Sequence, residues 1–185
     1  MKFRSWLCAF AVLIVVLVAW SKLRYHPSEF KGGVSMRDSG WWIYPHYRAE
    51  LAPVSLNTPG DHDYALSGLP SESFSLNLLV DSRQDETRRA VASLRTRLQV
   101  VLADDAGNNL CFADGPIAGG RNMWDSIWIV ASSATSTYLW SPKCREMTTS
   151  RNKRYQMKIR VDDVDPNSPR VDLIPILRGG GNELP

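Results

Sequence analysis

Histidine and cysteine are scarce in this chain of 185 residues, which contains three of each. No cysteine has a second Cys or a His at the spacing of zinc ligands, so the sequence does not indicate a zinc site. The chain also lacks a Gly-x-Ser-x-Gly motif and a glycine-rich loop that ends in Lys and Ser or Thr. Because no coherent catalytic set remains, we predict neither enzymatic activity nor a bound metal or cofactor.

Two larger sequence patterns are also missing. No repeat of about 20 to 50 residues is present, which argues against solenoids and propellers. Strands do not alternate with long helical patterns, which argues against a parallel α/β sheet. The one helical candidate, residues 85–94, has only a thin apolar stripe.

The net charge of +3 belongs to the beginning of the chain, where Lys2, Arg4, Lys22 and Arg24 flank an apolar run. With these four set aside from the 22 Lys and Arg, 18 basic residues remain against 19 acidic ones, which leaves the rest of the chain at about −1. Such a balance argues against nucleic-acid binding through a broad basic field. We interpret the basic cluster at 151–154 as a turn between strands, with phosphate or lipid-headgroup binding as the alternative.

An uncharged run of 15 residues extends from Trp6 to Trp20. As a helix it spans roughly 22 Å, and the flanking Lys and Arg side chains extend its reach towards both faces of a bilayer. Tryptophan at both ends is typical of membrane interfaces. We predict that residues 1–24 form an uncleaved signal-anchor or transmembrane helix, with a cleaved signal peptide as the alternative.

The charges on the two sides of the apolar run nearly balance, so they do not decide how the segment is oriented in the membrane. The short stretch before the run decides it instead. A small cytoplasmic end is the usual arrangement. We therefore expect a single-pass inner-membrane protein, held in the membrane through residues 6–20, whose C-terminal domain lies in the periplasm.

The remainder of the chain is predicted to form one β domain. Residues 25–39 mix glycine, serine and charges and are predicted to be a linker, which places the domain at 40–185. Period-two alternation of apolar residues recurs throughout this domain. The predicted strands lie at residues 64–68, 74–80, 98–102, 110–112, 127–130, 138–140, 155–161 and 171–177, with a turn at 104–108. Such a series predicts an all-β fold, an antiparallel β-sandwich of Greek-key or jelly-roll type.

Cys111 and Cys144 are the two cysteines outside the apolar run. A pair of cysteines in an oxidising compartment is a natural disulfide, and a bridge here closes a loop of roughly 34 residues. The alternative is two separate buried thiols.

Two short polar motifs have structural and functional interpretations. His62 stands between Asp61 and Asp63, which we interpret as a polar turn, with a scattered catalytic triad as the alternative. Residues 161–168 place Asp163, Asp165 and Asn167 at alternating positions, as calcium ligands often are. The glycine and glutamate of an EF-hand are absent, so a strand that ends in a turn is the preferred interpretation.

Aromatic residues are the most suggestive feature for binding. Trp41, Trp42 and Tyr44 cluster where the domain begins, and Trp124 follows in its second half. Adjacent Trp41 and Trp42 point to opposite faces of a strand, so one of them is exposed unless both faces are covered. These four residues are the candidate binding surface, for a protein or for sugar rings, and packing in the core is the third interpretation.

Taken together, the sequence predicts a non-enzymatic binding protein of a bacterial-type envelope. The expected partner is another envelope protein, as for an assembly subunit or an immunity protein that blocks a toxin. The alternative is a module that binds carbohydrate or peptidoglycan.

Overall fold

The computed structural model describes residues 12–16, 25–38, 46–80, 96–117, 128–133, 136–140, 144–164 and 170–180. Within these residues the chain forms two antiparallel β-sheets, one of eight strands and one of four. Buried side chains from both sheets belong to one hydrophobic cluster. We call these two sheets and their shared core the two-sheet body.

The larger sheet has the strand order β1-β2-β12-β5-β9-β8, with β3 paired to β12 and β10 paired to β5. Its strands are β1 (Ser35–Asp38), β2 (Tyr47–Glu50), β3 (Val54–Ser55), β5 (Ser73–Val80), β8 (Trp128–Ser133), β9 (Ser136–Trp140), β10 (Met147–Thr148) and β12 (Asp172–Gly179). The smaller sheet has the order β4-β11-β6-β7. Its strands are β4 (Gly60–Ser67), β6 (Arg97–Asp104), β7 (Asn109–Pro116) and β11 (Arg154–Asp162).

Strand β11 shows why these sequences form strands. Tyr155, Met157, Ile159 and Val161 are buried, and the residues between them face solvent. This alternation gives a strand one apolar face, which the opposite sheet covers. β11 is also hydrogen-bonded on both sides, to β4 and β6, so it lies inside the four-stranded sheet.

Proline lies within β12, a position that normally interrupts a sheet. Pro175 is the register partner of Leu78 in β5. Its carbonyl accepts a hydrogen bond of 2.9 Å from Leu51 N on the opposite side of the strand. The nitrogen and the carbonyl oxygen of one strand residue point to the same side, so the missing N–H removes no hydrogen bond to β5.

The structure confirms the all-β, antiparallel, two-sheet character of the prediction. The predicted strands at 74–80, 98–102 and 155–161 match β5, β6 and β11 closely. The polar turn predicted around His62 is wrong, because residues 60–67 form β4. The helical candidate at 85–94 lies outside the described residues.

Residues 25–38 are not the linker that the sequence predicts. Tyr25 belongs to the hydrophobic cluster at 7% exposure, Phe30 packs against that cluster, and β1 pairs with β2. The apolar rings of Tyr25 and Phe30 account for this packing, because burial removes them from water. We call residues 25–34 the N-terminal arm.

The predicted membrane segment is described only at residues 12–16. These five residues are helical, and their apolar side chains are 46 to 66% exposed. Across the described parts of the chain, no helix has the length and apolar character needed to cross a membrane.

Replacing Ile159 tests the packing of the core. Ile159 is fully buried in β11. Ile159→Ala removes buried methyl groups and leaves a cavity, so we expect a loss of about 2 to 5 kcal/mol in the free energy of unfolding. Chemical denaturation of the full chain measures it. The control is Gln156→Ala on the exposed face of the same strand, for which we expect a change within about 0.5 kcal/mol. Equal effects of the two substitutions would contradict the assignment of faces.

Candidate functional site

The predicted binding surface of Trp41, Trp42, Tyr44 and Trp124 lies outside the described residues, and it stays a prediction. The next aromatic residue along the chain, Tyr47, is buried in the core. Its ring stacks on Phe74 at a centroid distance of 6.4 Å. Tyr47 is therefore a core residue.

The predicted disulfide between Cys111 and Cys144 is present. Cys111 lies in β7 of the four-stranded sheet, and Cys144 lies three residues before β10 of the larger sheet. Their Cα atoms are 4.7 Å apart, and each residue is 2% exposed. The bridge therefore links the two sheets covalently from within the core.

The N-terminal arm is held first by aromatic contacts. The Tyr25 ring meets the Tyr47 ring edge-on, with a centroid distance of 5.2 Å and an interplanar angle of 81°. The guanidinium carbon of Arg151 lies 6.0 Å from the Tyr25 ring centroid, within the range of a cation–π contact. Burial raises the pKa of Tyr25 to about 12, and the nearby Glu29 carboxylate adds to that shift.

Polar contacts hold the middle of the arm. Arg151 Nε donates a hydrogen bond of 2.6 Å to Oε2 of Glu29, and Arg151 Nη2 donates to Oε1 of the same carboxylate. The hydrogen bond from Arg151 lowers the pKa of the Glu29 carboxyl. Lys31 and Ser67 exchange backbone hydrogen bonds of 3.0 and 3.2 Å, so the arm also pairs with the end of β4.

Glycine is required where the arm crosses β4. Gly32 has φ +94°, and a Cβ atom there would collide with the carbonyl oxygen of Ala65. Gly68 has φ +69°, and a Cβ atom there would collide with the carbonyl oxygen of Glu29. Both backbone conformations and both close approaches favour a residue without a side chain. These glycines therefore allow close packing of the arm.

The basic cluster at 151–154 forms the predicted turn, between β10 and β11. Two of its cationic side chains form ion pairs with carboxylates. Arg151 binds Glu29, and Lys153 Nζ lies 2.8 Å from Oδ2 of Asp104. These ion pairs weaken the case for a phosphate site at this turn.

Asp104 organises the turn between β6 and β7. Its Oδ1 atom accepts hydrogen bonds from the backbone nitrogens of Ala106 and Asn108, at 3.1 and 2.9 Å. The side chain of Asn108 donates to both oxygens of the carboxylate. The hydrogen bond from Lys153, followed by those from Asn108, holds the pKa of the Asp104 carboxyl well below its usual range.

The outward face of the four-stranded sheet carries paired charges and one exposed aromatic ring. Arg97 binds Asp114 through two hydrogen bonds of 2.8 and 3.1 Å, and Lys158 Nζ lies 2.7 Å from Asp61. Phe112 in β7 is 43% exposed. Phe112 is not one of the binding residues predicted from the sequence. Its position between buried Cys111 and Ala113 is the period-two signal that places it outside.

The structure gives little support to a catalytic role of the histidines or to a calcium site at residues 161–168. Neither His46 nor His62 forms a hydrogen bond with a serine or a carboxylate in the part of the chain that the structure describes. Asp163 follows β11 with φ +51°, whereas Asp165 and Asn167 lie outside the described residues. Among described residues no group of three or more His, Cys, Asp or Glu is arranged to hold a metal ion.

Removing the disulfide tests its contribution to stability. The bridge joins residues 33 positions apart. A loop of this size gives about 3 to 4 kcal/mol in the chain-entropy model, so we expect Cys111→Ala with Cys144→Ala to lower the free energy of unfolding by about that amount. Chemical denaturation measures it, and Cys8→Ala is the control with no expected loss. Unchanged stability of the double variant would contradict a structural role for the bridge.

Acid titration tests the Asp104 contacts. The pKa of Asp104 is lower in the folded state than the unfolded value of about 3.9. Its stabilising contribution is therefore complete above that value, and it is lost as the pH falls towards the folded pKa. We expect Asp104→Asn to lower stability at neutral pH and to flatten the decline between about pH 5 and pH 2.

Urea denaturation at several pH values measures this effect. The matched control is Asp105→Asn, because Asp105 is exposed and its carboxylate acts on Lys153 through a coulombic interaction alone, without a hydrogen bond among the described residues. If Asp104→Asn retained the acid slope of the unmodified chain, the proposed role of the carboxylate would be wrong.

No protein-family model matches the chain, and no curated protein matches it. Function therefore has to be inferred from the contacts of the chain's own residues.

Proposed function

We propose that this chain is a non-enzymatic binding protein of the bacterial-type envelope, anchored in the inner membrane, whose two-sheet body lies in the periplasm and recognises another envelope protein. The observation that carries the proposal is the buried disulfide between the sheets. Disulfides persist in oxidising compartments and are rare in the cytosol, so the bridge favours export of the body.

The beginning of the chain supports anchoring. Residues 12–16 lie in the middle of the predicted membrane run, and they leave five apolar side chains exposed. Burial of such a surface in a bilayer is favourable, because the hydrophobic effect scales with the apolar area removed from water. The basic residues before and after the run supply interfacial contacts.

A binding role is supported by aromatic residues. Phe112 exposes a large apolar side chain on the face where Arg97, Asp114 and Lys158 lie. Buried aromatic anchors surrounded by polar residues carry much of the energy of protein interfaces. The other proposed binding residues are Trp41, Trp42, Tyr44 and Trp124. An assembly subunit and an immunity protein that blocks a toxin both fit this description.

Site-specific photo-crosslinking in living cells tests the proposed partner. A photoreactive residue at Trp42 or Phe112 is expected to give a discrete protein adduct in the membrane fraction. The same residue at Asn152, an exposed position in the turn between β10 and β11, is the control without an adduct.

Peptidoglycan pelleting distinguishes the proposed protein-binding function from the alternative of a carbohydrate-binding module. Retention on peptidoglycan that is lost in Trp41→Ala and Trp42→Ala, together with no protein adduct, would replace the proposal with a carbohydrate-binding module. Absence of both an adduct and retention would contradict both functions.

A further inference from the structure

The distance between the predicted membrane run and the two-sheet body is limited by the covalent chain. The run ends at Trp20, and Tyr25 is already part of the core. Five residue steps span at most about 18 Å when fully extended. The body therefore begins within that distance of the end of the run.

The arm limits how far the body can move from the membrane, whereas a flexible linker would not. A free linker at 25–39 would let the body move far from the membrane and turn in any direction. Instead Tyr25 is buried against Tyr47, Glu29 is bound by Arg151, and Lys31 pairs with Ser67. These contacts fix the arm along the body from its first described residue.

All of these contacts lie at one end of the two-sheet body, which we call the arm end. Here β4 ends and β5 begins, β10 leads into β11, and β6 turns into β7. At the opposite end lie the first residues of β4, β6 and β12 and the last residues of β5 and β11. Strands of eight residues separate the two ends by roughly 25 Å.

We infer that the arm end faces the bilayer and that the opposite end of the two-sheet body is directed away from it. This inference rests on the proposed membrane anchor. The opposite end and the outward faces of the sheets are then the surfaces open to a partner in the envelope. The arm end is close to lipid.

Charge does not impose this orientation. Among the described residues of the arm, of the β4–β5, β6–β7 and β10–β11 turns and of the strand ends beside these turns, the basic side chains are Lys31, Arg151, Lys153 and Arg154, and the acidic ones are Glu29, Glu72, Asp104 and Asp105. Their charges balance, and two of the cations are held in ion pairs. Such a surface gains little from anionic lipid, so the short tether sets the orientation.

Energy transfer to the membrane surface tests the inference. The full chain, with Cys8→Ser, is reconstituted into phosphatidylcholine vesicles that contain an acceptor dye on lipid headgroups. A donor dye is attached at Ala106→Cys in the arm-end turn or at Arg170→Cys at the opposite end, both of which are exposed positions. Because roughly 25 Å separates the two ends, we expect about twofold higher transfer from Ala106→Cys. Addition of phosphatidylglycerol is expected to leave this ratio unchanged.

Two variants test the cause of the orientation. A flexible Gly-Ser segment of about ten residues, inserted between Arg24 and Tyr25, adds about 17 Å of reach without altering the body. It is expected to bring the transfer ratio close to one, and the same segment added after Pro185 is the control. Gly32→Ala is expected to release the arm and lower the ratio. Gly60→Ala is its control, since Gly60 also has a positive φ but no atom near the added Cβ.

Flotation separates failure of the inference from failure of the proposed function. A chain that floats with the vesicles but gives equal transfer from both sites, or higher transfer from Arg170→Cys, overturns the inference and leaves the anchor in place. A chain that does not float with the vesicles contradicts the anchor itself. A ratio that rises with phosphatidylglycerol would show that lipid charge, and not the tether, sets the orientation.

Discussion

Each sheet has an apolar face that must be covered, and the rest of the structure depends on how that requirement is met. The four-stranded sheet contributes alternating residues such as Leu98, Val100 and Ile159, and the larger sheet contributes Leu76 and Leu173. Neither set of strands can bury this surface alone, because a sheet exposes both of its faces unless another layer covers one. The two sheets therefore share one core, which fixes the faces of their strands.

The disulfide and the arm extend the same constraint to parts of the chain that are distant in sequence. Cys111 and Cys144 join the sheets by a bond that is itself in the core. Tyr25 adds its ring to the edge of that core beside Tyr47 and Phe74. The place of residues 25–38 in the body is thus set by burial of Tyr25 and not by their composition. That is why a segment rich in glycine and charge becomes part of the body.

The sequence predicts those parts of the fold whose signal is local. In β6 and β11 the period-two pattern runs through eight or nine residues, so both the strands and their buried faces could be predicted. The same pattern predicted β5 as a strand, but Asn77 is buried together with Leu76 and Leu78, so burial there does not alternate. The strands β3 and β10 have two residues each, which is too short for any period to show. β4 begins with Gly60, Asp61 and His62, which resemble a turn. The partners that make it a strand, such as Lys158 and Arg160, are nearly 100 residues away.

The contacts of the candidate site also differ in whether the sequence predicts them. The cysteine pair could be predicted from the expected compartment, whereas the contact of Arg151 with Glu29 had no local signal because the two residues are 122 positions apart.

Whether the chain is an exported protein is the central question. Peptide mapping under non-reducing conditions, after free thiols in living cells are trapped with N-ethylmaleimide, tests it most directly. We expect Cys111 and Cys144 to be recovered as one linked peptide pair. Recovery of both as alkylated thiols would contradict a periplasmic body.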